Sequence, residues 1–197
     1  MSSATPTRRG AATRERLLQA ALELFAARGF HGSTTALLAS RTGLAEGTIY
    51  RHFTGKEALY NAVMQRVWQR GEELVGEAPE VRLSAMERLR SVAGRLMVEA
   101  RGAPAVVRLL LGPVELPVLE EPGRQAADRF RHAVVRLVVV GKQEGVIRPG
   151  TAELLASIWL VVVGLAAERV AQGAWTPEHP NVELTIEVAL AAIGKTG

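Results

Sequence analysis

With 197 residues and 48% apolar side chains, the chain is long enough for one domain or two small ones around a real core, and too apolar for general disorder. It has no cysteine, which excludes a disulfide framework, thiolate zinc sites and cysteine nucleophiles, and which fits a reducing cytoplasm. The net charge of +4 is uneven: residues 1–72 hold 10 Lys and Arg against 5 Asp and Glu, whereas residues 73–197 hold 14 against 15, so a field that favours polyanions sits on the N-terminal segment.

Residues 1–12 are small, polar and basic and read as a disordered tail. Arg8 and Arg9 suit an arm that drapes over phosphates, although a solvated tail is the better reading. No apolar core follows them, so the start is not a signal peptide. Residues 13–28 form the first predicted helix, with Leu17, Ala20, Ala21, Leu24 and Phe25 as its apolar stripe and Gly29 at the C-cap. Ser33 or Thr34 caps the next helix, on which Leu38, Ala39 and Thr42 share one face. Gly43 allows a sharp turn into residues 45–52, where Leu44 and Ile49 point inward. Thr48, Tyr50, Arg51 and His52 are left outside, and these are the side chains that reach phosphates and base edges in a major groove. Ala45 gives up the capping that a serine would supply, and Glu46 would repel a nearby phosphate. Thr54-Gly55-Lys56-Glu57 has the form of a capping box opening the next helix.

The spacing of Ala39, Gly43 and Ile49 is that of a helix-turn-helix. The run Gly47-Thr48-Ile49-Tyr50-Arg51-His52-Phe53, followed by Lys56-Glu57-Ala58-Leu59-Tyr60, resembles the signature of the TetR family of transcriptional repressors. The likeness extends upstream through Leu17, Ala21, Leu24, Phe25, Gly29 and Thr34, and so covers about residues 13 to 60. It implies an all-α chain: a disordered tail at 1–12, a three-helix DNA-binding domain at 13–55, and a helical effector-binding and dimerisation domain at 56–197, with helix 56–75 as the connector. It also implies that Thr35, Gly47, Tyr50, His52 and Lys56 contact DNA, mostly its backbone, while Thr48 and Arg51 are candidates for base edges. Leu37 departs from the family, which usually exposes a polar side chain there.

The connector carries Leu59, Val63, Val67 and Leu74, with Met64 and Trp68 beside them. From residue 78 the chain reads as helical throughout. Ser84-Ala85-Met86-Glu87 is a second capping box, opening a helix to about residue 100. A short helix over 103–111 stops at Gly112-Pro113, and PVELPVLEEPG is a rigid irregular connection. Residues 125–144 form a strong helix. Thr151 caps an apolar helix to about 172, and a last helix spans 181–193. The longest apolar run, 154–167, is shorter than a bilayer crossing requires and points to a buried core helix.

A helix that is apolar on every side must be covered on every side. A two-fold partner can do this, so Leu155, Trp159, Val162, Val163, Leu184 and Val188 are the expected dimer interface. Met64, Trp68, Met86, Met97, Phe130 and Trp159 could line a pocket for a lipophilic effector, though such a set is more often plain core. Arg95, Arg101, Glu99 and Glu168 are alternative polar anchors. Asp128 and His132 stand at i, i+4, with no third metal ligand in view and arginines on both sides. No phosphate loop or catalytic motif occurs, so an enzyme is not expected, nor is a cofactor. The expected function is a homodimeric, sequence-specific regulator of double-stranded DNA, most simply a repressor released from a palindromic operator by an effector. The alternative is a dimeric protein-interaction module that does not read DNA.

Overall fold

The computed structural model describes residues 8–76 and 83–195. Among these it has α-helices, one 3-10 turn and no strand; Ile147 and Gly194 form an isolated bridge. The helices in order are α1 (Arg8–Arg28), α2 (Thr35–Thr42), α3 (Glu46–Tyr50), α4 (Lys56–Gly76), α5 (Ala85–Gly102), α6 (Pro104–Leu111), α7 (Glu121–Gln143), α8 (Ala152–Ala171) and α9 (Pro180–Ile193).

Several boundaries differ from expectation, each for a local reason. α1 starts at Arg8, so residues 8–12 of the expected tail are helical, while residues 1–7 lie outside the described residues. Ala11 and Ala12 favour the helix, and Thr13 Oγ1 donates back to the Arg9 carbonyl at 3.0 Å, as an interior residue does and a cap does not. At α4 the first helical bond runs from the Leu59 N–H to the Gly55 carbonyl, which makes Gly55 the cap and leaves Thr54 and Glu57 out of register for the expected box. The box at Ser84 does form, with Ser84 Oγ accepting from the Glu87 N–H and Glu87 Oε2 from the Ser84 N–H at 2.8 Å. α7 and α9 begin earlier than predicted because Pro122 and Pro180 sit in their first turns, where a missing N–H costs nothing. Thr151 makes no side-chain cap bond to α8, and His179 Nδ1 caps α9 by accepting from the Asn181 N–H at 3.2 Å.

One continuous apolar core runs from Leu17, Leu24 and Phe25 on α1 through α4 to Trp159 and Val163 on α8. α4 is common to both halves. Near its start Tyr60 meets Phe25 and Phe30 edge-on, with ring centroids 5.2 and 5.0 Å away. Further along it crosses α7 and α6 closely at Gly71, where a Cβ would stand 2.6 Å from Leu110 Cδ1 and 2.9 Å from Phe130 Cδ2. Between them, buried Asn61 ties α4 to the connection between α6 and α7. Its Nδ2 donates to the Glu57 and Val118 carbonyls, both at 2.9 Å, and its Oδ1 accepts from the Glu120 N–H at 2.8 Å. The Tyr60 hydroxyl accepts from the Glu115 N–H of the same connection at 3.3 Å, and burial raises its pKa.

α8 is 20 residues long and, with a mean hydropathy of 1.9, is apolar enough to cross a bilayer by length and composition. Leu155, Trp159, Val163, Ala166 and Val170 nevertheless make an inward stripe at helical spacing, buried against α5, α6, α7 and α9. Three expected interface residues, Leu155, Trp159 and Val163, are therefore core, and Val162 is half-buried. The outward stripe is Leu154, Val161 and Leu165, continued on α9 by the expected Leu184 and Val188. An all-apolar helix has no polar face to mark which stripe turns inward, so the sequence pattern could not separate them.

Gly71→Ala is expected to destabilise the fold by about 1–3 kcal/mol through overpacking. Gly94→Ala, in open space on α5, is expected to stabilise it by about 0.5–1 kcal/mol. Urea denaturation of the two variants should move the midpoint in opposite directions.

Candidate nucleic-acid interface and interhelical cavity

The N-terminal surface is built on short-range polar bonds around a small apolar seam. Gly29 and Gly43 take positive φ of 68° and 64°, ending α1 and α2. Buried Ser33 donates to the Gly29 carbonyl at 2.7 Å, and Thr34 caps α2 by accepting from the Leu37 N–H at 3.1 Å. Leu38 and Ile49, both essentially inaccessible, clamp α3 against α2. Arg16 on α1 donates from Nη2 to the Thr42 carbonyl at 2.6 Å, tying α1 to the last turn of α2. Arg14 lies 5.0 Å over the buried Phe53 ring. Neither arginine stood out in the sequence, because a contact with a carbonyl or a ring far along the chain leaves no periodic signal.

With Ile49 fixed inward, Gly47, Tyr50 and Arg51 are exposed and Thr35, Thr48 and His52 half-exposed. Thr35 Oγ1 donates to Glu46 Oε1 and lies 3.5 Å from the Tyr50 hydroxyl, so α2 and α3 are bridged on this surface. Arg51 Nη2 reaches Thr48 Oγ1 at 3.5 Å. Lys56 differs from the others: its Nζ donates to the Phe30 carbonyl at 3.0 Å and rests 4.0 Å above the Phe30 ring. Leu37 is partly exposed beside them, at 36%. Ala45 takes the extended backbone of an N-cap but makes no cap bond.

One acidic residue of this segment is engaged by a base on α4, while Glu46 stays exposed at the start of α3. Glu15 is held by Arg66 in a two-pronged bond of 2.6 and 2.7 Å, and those hydrogen bonds keep its carboxyl below the usual range. Arg8, Arg9, Arg14, Arg28, Arg41 and Arg51 all remain exposed.

Between α6, α7 and α8, with α4 behind, lies a cavity of about 770 Å³. Of the six residues expected to line a pocket, Trp68 and Phe130 are on its wall. Met64, Met97 and Trp159 are buried in solid core, and Met86 borders a separate depression beside Arg90 and Glu187. Apolar spacing marks a residue as inward, but whether it meets a neighbour or a void depends on how the helices cross. Among the four candidate anchors only Glu168 reaches the cavity. Glu99 pairs with Arg70 at 2.9 Å, Arg101 lies 3.7 Å from Glu178, and Arg95 donates to the Leu74 carbonyl at 2.7 Å. The sequence reading passed over Arg108, the one charged residue of α6, which also lines the cavity; a lone charge inside an apolar helix was the available signal. Asp128 faces Arg131 at 3.4 Å.

Residues 17–63 match the sequence profile of the bacterial regulatory proteins of the tetR family. The chain is 29% identical to the nucleoid occlusion factor SlmA of Marinobacter nauticus over 154 residues, which are 76% of this chain and 74% of that protein. It is 40% identical to the HTH-type transcriptional regulator UidR of Escherichia coli K12, but over 52 residues, 26% of each chain. A TetR family protein of known structure from Vibrio parahaemolyticus superposes with a TM-score of 0.68 at 28% identity, covering 93% of this chain and all of that one. A TetR family transcription regulator from Marinobacter aquaeolei VT8 has a TM-score of 0.78 at 21% identity, over 96% and 99% of the two chains, a likeness of fold alone.

Ala45→Ser should supply the missing cap, because the backbone there already has the required conformation. Urea unfolding should show a gain of about 0.5–1 kcal/mol, and an unchanged or lower stability would mean that α3 has no free N–H for the hydroxyl to accept.

Proposed function

Because the chain belongs to the TetR family of bacterial regulatory proteins, we propose that it acts in the cytoplasm as a homodimeric repressor, held on a palindromic DNA operator and released by a small lipophilic effector. It is a transcriptional regulator with a helix-turn-helix DNA-binding domain. The observation that carries the finer reading is the clamping of Ile49 against Leu38, which leaves Thr48, Tyr50 and Arg51 on the outer side of α3. In this reading α3 enters the major groove. Arg51 and Thr48 meet base edges, while Thr35, Tyr50, His52 and the Gly47 backbone meet phosphates. Lys56, already bonded to Phe30, positions the turn and adds charge without needing to move. Residues 8–55 form the reading head, and the rest of the chain dimerises and holds the effector.

Dimerisation in this proposal buries the outward stripe of Leu154, Val161, Leu165, Leu184 and Val188, which is too long an apolar strip to leave in water. A two-fold pair would set the recognition helices about one turn (~34 Å) apart on the duplex. The cavity is the proposed effector site. Its wall includes Gly112, Pro113 and Val114, and the connection they open is bonded through Glu115, Val118 and Glu120 to Tyr60 and Asn61 on α4. A ligand that favours one position of this connection would thereby bias α4, and with it the spacing of the two heads.

Two measurements test the proposal. Fluorescence anisotropy with a duplex from upstream of the protein's own gene should show binding that weakens steeply with salt and is preferred over random duplex. Arg51→Ala should reduce that preference roughly tenfold. A dimer that binds no duplex at low salt, and carries no ligand by mass spectrometry, would instead be the protein-interaction module. In sedimentation the wild type should run as a dimer and the Val161→Glu, Leu165→Glu double variant as a folded monomer; a dimeric double variant would rule out this face.

A further inference from the structure

The outer surface of α3 begins with a negative charge where a polyanion is to be met. Glu46 is exposed, and among the described residues no Lys or Arg pairs with it. Its Oε1 accepts from the Thr35 hydroxyl on α2, which in turn lies 3.5 Å from the Tyr50 hydroxyl. Its other oxygen, Oε2, takes no bond from the described residues. The flanking side chains are too small to hold a duplex away: Ala45 stands on one side and Gly47 on the other, where a Cβ would meet nothing within 4 Å. The first residue of α3 is thus a carboxylate aimed by one oxygen and open at the other.

We propose that Glu46 is a specificity-determining residue of the DNA contact: Oε2 accepts from the N4 amino group of a cytosine in the major groove and turns away bases that present acceptors there. This rests on the reading of α3 as the helix that enters the groove, and adds which base its first residue selects. A carboxylate pressed against a duplex is costly unless it meets a donor, and the major groove offers two kinds. Cytosine presents its N4 amino group alone, whereas adenine sets the N7 acceptor beside its N6 amino group. Guanine presents O6 and N7, and thymine O4, all of them acceptors. Cytosine is therefore the edge that satisfies the carboxylate without opposing it. Phosphates repel it, so Glu46 also weakens contact with any duplex that lacks the base, which widens the gap between operator and random DNA. The Thr35 hydroxyl has one proton and gives it to Glu46. Thr35 accordingly aims the carboxylate, and its backbone N–H, in the first turn of α2, is the group left to meet a phosphate.

Selection from a random duplex library, with sequencing, on the full chain and on Glu46→Gln tests this. Glutamine keeps the shape and an oxygen for the Thr35 hydroxyl but removes the charge, so a mere bridge between α2 and α3 would survive the change. The wild-type site should hold one position per half-site at which cytosine outranks thymine about tenfold in anisotropy titrations. In Glu46→Gln that position alone should lose its preference or pass to adenine, which suits an amide, while the other positions are kept. The variant should also bind random duplex more tightly and the wild-type site more weakly, a crossing that a loss of stability does not produce. A selected site unchanged at every position in Glu46→Gln, a wild-type site with no such cytosine, or an equal weakening on selected and random duplex would each overturn the proposal. A wild type that enriches no sequence would overturn it together with the reading of α3 as a base reader. A site that depends on Arg51 but not on Glu46 would remove Glu46 alone.

Discussion

The structure depends on α4 serving two cores at once. Its first turns complete the small N-terminal cluster through Leu59, Tyr60 and Val63, and its later turns pack against α6 and α7, where Gly71 admits Leu110 and Phe130. A helix buried at both ends cannot shift at one end without disturbing the packing at the other. Asn61 makes the constraint stricter, because moving α4 away from the 112–120 connection would break its bonds to the Val118 carbonyl and the Glu120 N–H and leave the buried Asn61 amide without those partners. The two halves are thus joined by hydrogen bonds as well as by apolar contact, and the connection bonded to α4 is the one that opens on the cavity wall.

What the sequence made legible follows from which interactions leave a pattern. Gly43, Leu38 and Ile49 work through short-range geometry, and helix periodicity plus one left-handed residue identifies them. The outer position of Tyr50 and Arg51 follows once Ile49 is known to point inward. Helix boundaries were weaker, since Thr54 and Gly55 are both plausible caps and only the backbone register of α4 chooses between them. Pro122 closes the stretch expected to be an irregular connection and yet sits in the first turn of α7, because the same ring that ends a helix is harmless at its start. Arg16 and Asn61 were not legible at all. Each acts on a group distant in sequence, and such pairings exist only once the helices have packed.

α8 shows the same limit in its sharpest form. Composition marks it as a helix that is apolar all round, yet Leu155 and Leu154 are chemically the same residue facing opposite ways. What separates them is the crossing of α8 with α9 and α5, which single-residue properties do not encode. The cavity belongs to the same class of fact. Trp68, Phe130 and Met64 look equivalent in the sequence, and only the first two border empty space.

The edge-on cluster of Phe25, Phe30 and Tyr60 has a consequence for building hybrid regulators. Tyr60 lies beyond residue 55, so a graft cut there would carry Phe25 and Phe30 to a new scaffold and leave their third ring behind. Such a chimera would have to find an aromatic of the right reach in its host, or lose part of its hydrophobic floor. A junction after Met64 and before Trp68 moves the whole cluster with the reading head and leaves the face around Gly71 with the recipient. Portability of the head is therefore set by the first half of α4, and a transplant should be designed around that helix and not around the loop that precedes it.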